Sequence, residues 1–324
     1  MNKMTTDITK CIHCHKCRDS CAFLKKYNID IGDGKELREL AFHCFLCGTC
    51  TSVCPENIDG RKVIQDLRRE LVSSGRADLT ARGYRAMLWE KKNYKFRNYR
   101  HAGEGAVLFP GCNFPSLYPK TTALLSRILK ETAGIGTVYD CCEKPVAELG
   151  LEDEENRITD EISRKLKDCG VKEVITVCPN CFSYLREKLD IPVVSIYEKL
   201  HELGLGKRIP GGERVFMPCP DKGSGAILSQ IEEYFADGPY RRISGMQCCG
   251  LGGSAGVCEP ELARSMTEDL RNEPGIRVYC ASCAGKLKRS GVPGIRHILS
   301  EILGTDEEPD TGKSAINRAL TGFK

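Results

Sequence analysis

Apolar positions along this chain keep a helical period at first and then a mixed one. Over residues 59–73 they recur at three and four (Val63, Ile64, Leu67, Leu71), as on one face of a helix, with Asp59 placed to cap its start. Beyond residue 105, short β-like runs alternate with helical stretches, and the series occurs twice. The first predicts a strand at 106–109, a helix at 117–132, a strand at 137–139, a charged amphipathic helix at 154–169, a strand at 173–177, and a short run at 192–195 leading into a helix. The second predicts a strand at 215–217, a helix at 226–236, a strand at 242–244, a helix at 261–271, a strand at 276–279, and a run at 293–295 leading into the last helix. Such alternation with short loops predicts two α/β units with small parallel sheets, whose functional loops gather at the carboxyl ends of the strands.

Cysteines fall on those strand ends in register. The first series carries Cys112, Cys141, Cys142, Cys178 and Cys181, and the second carries Cys219, Cys248, Cys249, Cys280 and Cys283. In both, a single Cys is followed by an adjacent pair and then by Cys-x-x-Cys. Each set holds five thiols. A [4Fe-4S] cube uses four, one per iron, so five require a bridging thiolate or a cluster that is not a simple cube, and zinc would leave one spare.

The first sixty residues hold two further runs, Cys11, Cys14, Cys17, Cys21 and Cys44, Cys47, Cys50, Cys54, both spaced C-x2-C-x2-C-x3-C. In such a run three thiolates wrap one [4Fe-4S] cube and the fourth serves the other. The expected sets are therefore Cys11, Cys14, Cys17 and Cys54 for one cube, and Cys44, Cys47, Cys50 and Cys21 for the other. Paired zinc ribbons would need two Cys-x-x-Cys pairs separated by a longer gap. Pro55 follows the second run, where the first has Ala22. His13 and His15 read as loop residues near the sulfurs that tune the site without ligating it. Gly32-Asp33-Gly34 signals a turn before a short helix at 35–42.

Composition narrows the setting. With Lys+Arg 48 against Asp+Glu 44, the formal charge of +4 argues for neither a nucleic-acid nor a membrane-surface partner. The start has no apolar leader segment and no run is long enough to span a bilayer, so a soluble, cytoplasmic protein with no transmembrane segment is expected. Twenty cysteines in that compartment point to metal or cluster ligation rather than to a disulfide scaffold.

Residues 75–105 are rich in Arg, Lys and Tyr; a solvated helix at 80–92 that packs Tyr84, Leu88 and Trp89 inward, followed by a linker, accounts for them. Residues 305–324 are polar and read as a surface tail or partner-docking peptide. Cys169 and Cys258 have no spaced partner and read as small core residues. The expected division is 1–75 ferredoxin-like, 76–105 basic helical linker, 106–208 and 209–304 the two repeats, and 305–324 the tail. No Gly-x-Gly-x-x-Gly follows a strand, so a partner must supply reducing equivalents.

On these motifs the head resembles a bacterial two-cluster ferredoxin, and each repeat resembles the cysteine-rich CCG domain of the heterodisulfide reductase catalytic subunit. Their order resembles a fused D-type reductase subunit, and also the iron-sulfur subunits of glycolate, lactate and glycerol-3-phosphate dehydrogenases. The fold so implied is α+β or α/β: a helical two-[4Fe-4S] domain, then two pseudo-symmetric CCG domains. The reductase resemblance implies two noncubane [4Fe-4S] clusters beside Cys142 and Cys249, where a disulfide is split. The alternatives are one cluster or zinc at one CCG site, and a non-catalytic relay between a flavoprotein dehydrogenase and a quinone or ferredoxin pool. Either implies a hetero-oligomer with a flavoprotein or other electron donor. The second copy continues Cys248-Cys249-Gly250-Leu251-Gly252-Gly253, whereas the first has Glu143 in place of the glycine, which crowds a cluster or sets a carboxylate near substrate. His297 stands where the first copy has Ser195, as a helix cap or near substrate.

Overall fold

Two sheets with one strand order carry the repeated half of the chain. The computed structural model describes residues 4–243, 247–272 and 275–323. In the first sheet β1 (Asn98–His101), β2 (Gly105–Phe109), β3 (Gly136–Tyr139), β4 (Val171–Thr176) and β5 (Val193–Ser195) lie in the order β1-β3-β2-β4-β5. All neighbours are parallel except β1, which runs antiparallel to β3. The second sheet, β6 (Arg214–Phe216), β7 (Arg241–Arg242), β8 (Ile276–Val278) and β9 (Arg296–His297), is wholly parallel in the order β7-β6-β8-β9. With β1 set aside, the two orders are the same. Val107, Leu108, Phe109, Val174 and Ile175 are fully enclosed, as the inner strands of a parallel sheet must be.

The chain divides into two compact units that are discontinuous in sequence. One comprises Met1–Lys92, Pro145–Glu155 and Gly245–Asp269. The other comprises Asn93–Lys144, Asn156–Ser244 and Leu270–Lys324, and so contains both sheets.

The head-containing unit is built from short helices. Its longest, Gly60–Ser73, starts at Asp59, whose carboxylate accepts the Lys62 amide, and buries Val63 and Ile64. Arg68 shares that face and is fully enclosed. Its guanidinium donates to the carbonyls of Ala41, Cys44, Glu148 and Gly253 at 2.7–3.0 Å, which satisfies a buried charge by a fan of dipoles. Gly252 and Gly253 are needed in that packing, since a Cβ on them would stand 2.2 Å from the Phe45 carbonyl oxygen and 2.6 Å from that of Cys44.

Several sequence expectations shift. Trp89 does not pack inward: it lies on the outer face of the helix Arg82–Lys91 and is 69% exposed, while Tyr84 is enclosed. The expected linker contributes strand β1. The helix expected at 117–132 is two, Phe114–Leu117 and Pro119–Ala133, because Pro119 drives Tyr118 out of helical geometry. The helix expected at 261–271 is Pro260–Ser265 followed by a 3-10 turn, Asp269–Asn272. The run at 293–295 precedes β9 rather than forming it, and part of the strand expected at 242–244 lies outside the described residues.

The polar C-terminal stretch is held in place rather than left as a loose tail. Glu307 accepts the amides of Lys120 and Thr121 at 3.1 and 2.7 Å, capping the helix Pro119–Ala133, so its negative charge meets the positive end of a helix dipole. The helix Ser314–Thr321 then packs on Phe114–Leu117, with the Asn317 amide donating to the Ser116 carbonyl at 3.1 Å. Among the described residues, no helix is long and apolar enough to cross a membrane.

Candidate metal centres

The two cysteine runs of the head fold into the same local shape. In each, the residue two beyond the first cysteine takes left-handed backbone, His13 at φ +50° and Leu46 at +49°. This turns its amide onto the first sulfur, His13 N to Cys11 Sγ and Leu46 N to Cys44 Sγ, both at 3.4 Å. His15 and Gly48, also left-handed, then start the short helices Lys16–Ser20 and Thr49–Ser52.

Cys11, Cys14, Cys17 and Cys54 line one cavity together with Ile12, His15, Ile31 and Pro55. Cys21, Cys44, Cys47 and Cys50 form a second group, close enough for each to feel the charge of the others. Burial pushes the Cys21 thiol up to about 11 and Cys44 to about 12, and raises Cys50 well above its ordinary value too. Thiols this enclosed ionise only beside a cation, and a metal supplies one. His13 and His15 both point Nδ1 at Asp30 Oδ2, at 2.9 and 3.0 Å, so a buried carboxylate and not a sulfur site orients them.

The first repeat brings all five of its thiols into the sheet-bearing unit, just past the ends of β2, β3 and β4. Cys112 and Cys141 sulfurs are 3.3 Å apart, Cys142 shares hydrogen bonds with the free thiols of Cys141 and Cys181, and Cys178 with that of Cys181. The bond from Cys141 and then that from Cys181 hold the Cys142 thiol down at about 6. Cys141, Cys142 and Cys181 are buried.

Glu143 follows the pair at φ +53° and is buried. One carboxylate oxygen accepts the Tyr94 amide at 3.1 Å and lies 3.5 Å from Arg97, while burial raises its pKa to about 7.

Of the second set, Cys219, Cys280 and Cys283 lie in the sheet-bearing unit, at the ends of β6 and β8, and Cys248 and Cys249 lie in the head-containing unit. Within the sheet-bearing unit the repeats meet reciprocally. The helix Pro179–Leu185 of the first packs on the turn Cys219–Asp221 of the second, and the helix Ala281–Arg289 of the second packs on Phe114–Leu117 of the first. Asn113 donates to Ser282 Oγ at 2.7 Å, and Cys178 bonds with Cys280.

His297 and Ser195 both cap the helix that follows, His297 Nδ1 accepting the Leu299 amide at 3.2 Å and Ser195 Oγ the Glu198 amide at 3.2 Å. The His297 ring is fully buried between Phe114 and Tyr118 at 5.0 Å from each, and burial holds its pKa down at about 3. Cys258 pairs with the Tyr84 hydroxyl at 3.2 Å, and Cys169 ends the helix Glu152–Asp168, half-buried.

A model of the 4Fe-4S dicluster domain matches residues 7–58, and a model of the cysteine-rich domain matches residues 106–186. The chain carries both domains. The dicluster head and the cysteine-rich domain make it an iron-sulfur protein of electron-transfer type, with the ferredoxin-type domain first and the α/β, parallel-sheet CCG domain after it. It is similar to the B subunit of the fumarate reductase (CoM/CoB) of Methanothermobacter marburgensis, 26% identical, covering 88% of this chain and 68% of that protein. An uncharacterised iron-sulfur protein of Methanococcus maripaludis is 23% identical over 78% of this chain, which spans only 56% of that relative's length. Among solved structures, a hypothetical protein from Helicobacter pylori shares the fold at a TM-score of 0.51, with 11% identity over 91% of this chain and 68% of that one.

Sequence reasoning missed Arg68, Asp30, Glu259 and Gln247. Glu259 is buried and accepts from Lys26, Tyr27 and His43 at 2.6–2.8 Å, joining the 245–269 segment to the head. Arg68 was legible in principle as a cation between Ile64 and Leu71 on the apolar stripe of its helix.

Proposed function

We propose that the chain is a reductase subunit that carries electrons through two cubane [4Fe-4S] clusters to paired noncubane [4Fe-4S] clusters, where a disulfide is reduced reversibly. The observation that carries this is the gathering of five thiols, Cys112, Cys141, Cys142, Cys178 and Cys181, at the ends of three adjacent strands, one more than a cube can use. Cys11, Cys14, Cys17 and Cys54 would hold one cubane cluster, and Cys21, Cys44, Cys47 and Cys50 the other. The second noncubane cluster falls to Cys219, Cys248, Cys249, Cys280 and Cys283. When bound, these clusters supply one-electron steps, and a disulfide takes two electrons and two protons to give two thiols.

The chain's own residues do the rest. The strand ends hold these thiols together, which lowers the cost of ordering them around a metal centre. The Asn113–Ser282 bond and the Cys178–Cys280 approach hold the two repeats face to face. The enclosing Phe114, Tyr118 and His297 rings keep water from the interior. The likeness to a protein named as a reductase subunit supports a role within a larger assembly, in which a flavoprotein or other electron donor would feed the chain.

The test is anaerobic oxidation of a reduced viologen dye by the purified protein. Added disulfide should accelerate dye oxidation with release of two thiols per two electrons. Dye oxidation by a quinone or a flavoprotein, with no response to any disulfide, would make the chain a relay and overturn the reductase reading.

A further inference from the structure

Gln247 stands immediately before the Cys248-Cys249 pair, yet its side chain reaches into the head. Its Nε2 lies 3.3 Å from Cys21 Sγ and 3.3 Å from Cys47 Sγ, and its Oε1 accepts the Ala22 amide at 2.7 Å. That amide can only donate, so it fixes the orientation of the Gln247 group: the carbonyl faces Ala22, and both N–H bonds of Nε2 are left to the two sulfurs. The Cys47 thiol also bonds with the thiol of Cys248, the next residue along. Arg68 adds a buried positive charge against the Cys44 carbonyl, 2.7 Å away. At the other thiol set the neighbouring group has the opposite sign, for the buried Asp30 carboxylate stands 3.7 Å from Cys11 Sγ.

Hydrogen bonds and positive charge at ligand sulfurs stabilise the reduced, more negative state of an iron-sulfur centre, and a carboxylate disfavours it. We propose that Gln247 is a positioning residue that holds the Cys21, Cys44, Cys47 and Cys50 centre at a higher potential than the Cys11, Cys14, Cys17 and Cys54 centre. Electrons then run downhill within the head and arrive beside Cys248. Each one-electron step reoxidises the first centre and reduces the second, and a donor protein supplies the electron. The amide that tunes the second centre belongs to the same backbone segment as the cysteine pair beyond it, so tuning and delivery are built into one strand of chain. This inference rests on the assignment of a cluster to each thiol set of the head.

The test is an EPR-monitored anaerobic redox titration of the full chain at pH 8, with iron measured on the same samples. Gln247→Leu should move one head potential to more negative values and leave the other in place, at unchanged iron content. Gln247→Glu should move the same potential further in the same direction. If the leucine variant fails to assemble, Gln247→Met, unbranched and without donors, carries the same expectation. Unmoved potentials in assembled variants would overturn the proposal. Failure of the underlying assignment has a different signature: Cys47→Ala would then leave both head signals intact, and tuning and assignment would fall together.

Discussion

Glu143 and Gly250 occupy equivalent places after their cysteine pairs, and both hold left-handed backbone, at φ +53° and +80°. Each turns its amide onto the first sulfur of its pair, Glu143 N to Cys141 Sγ at 3.4 Å and Gly250 N to Cys248 Sγ at 3.2 Å. An L residue in that conformation costs about 1–2 kcal/mol, which Glu143 offsets through the Tyr94 amide and Arg97. Glu143→Gly relieves the backbone while losing those partners, and Glu143→Ala loses them with the strain retained. Chemical denaturation should place the glycine variant above the alanine variant by about 1 kcal/mol. The reverse order would mean that this position does not keep its left-handed backbone once the carboxylate is gone.

Arg68 holds four carbonyls from three separate segments of the head-containing unit. Replacing it with leucine strands buried acceptors, each worth about 1–3 kcal/mol, so Arg68→Leu should destabilise the protein by at least ~3 kcal/mol. Arg68→Lys keeps the charge but cannot span all four acceptors, and should fall between. A leucine variant as stable as the parent in denaturant titration would show that the fan of bonds contributes nothing net.

Cys54 lines the cavity of Cys11, Cys14 and Cys17 although it belongs to the other run. Cys54→Ser should therefore damage the centre held by the first run, seen as the loss or broadening of one head signal in EPR. Damage confined to the centre of Cys44, Cys47 and Cys50 would mean that each run serves its own cluster.

Much of this was legible because it depends on local pattern. Alternation of short apolar runs with helices gave the strands of both sheets within a few residues, apart from β1, which lies in what read as a linker, and cysteine register gave the equivalence of the repeats that the strand orders display. What escaped depends on partners distant in sequence. Trp89 lies in a helix whose weak apolar face does not say which side is inward, and the structure turns it out. The acidic run at 306–308 looks solvated until Glu307 is seen capping a helix almost two hundred residues earlier. Gln247 is an ordinary polar residue in sequence, and only its distance from Cys21 and Cys47 gives it a role.

His297 makes stability depend on pH. Burial lowers its folded pKa to about 3, against 6.5 for an unperturbed imidazole, so below pH 6.5 the unfolded chain takes up a proton that the folded chain refuses. The contribution is fully present above pH 6.5 and is lost as pH falls toward 3, with about 1.4 kcal/mol gone by pH 5.5. His297→Asn keeps a capping acceptor for the Leu299 amide and cannot titrate. Its unfolding free energy should fall less between pH 7.5 and 5.5 than that of the parent. Parallel slopes would place the imidazole in contact with water.

The most direct test of the proposed function is the iron, sulfide and zinc content of anaerobically purified protein, with EPR of the oxidised form during thiol titration. Two cubane and two noncubane clusters require about sixteen iron per chain and a paramagnetic signal that grows with added thiol. About eight to twelve iron, with zinc at a cysteine-rich site or no response to thiol, would contradict paired noncubane centres and leave the protein an electron relay.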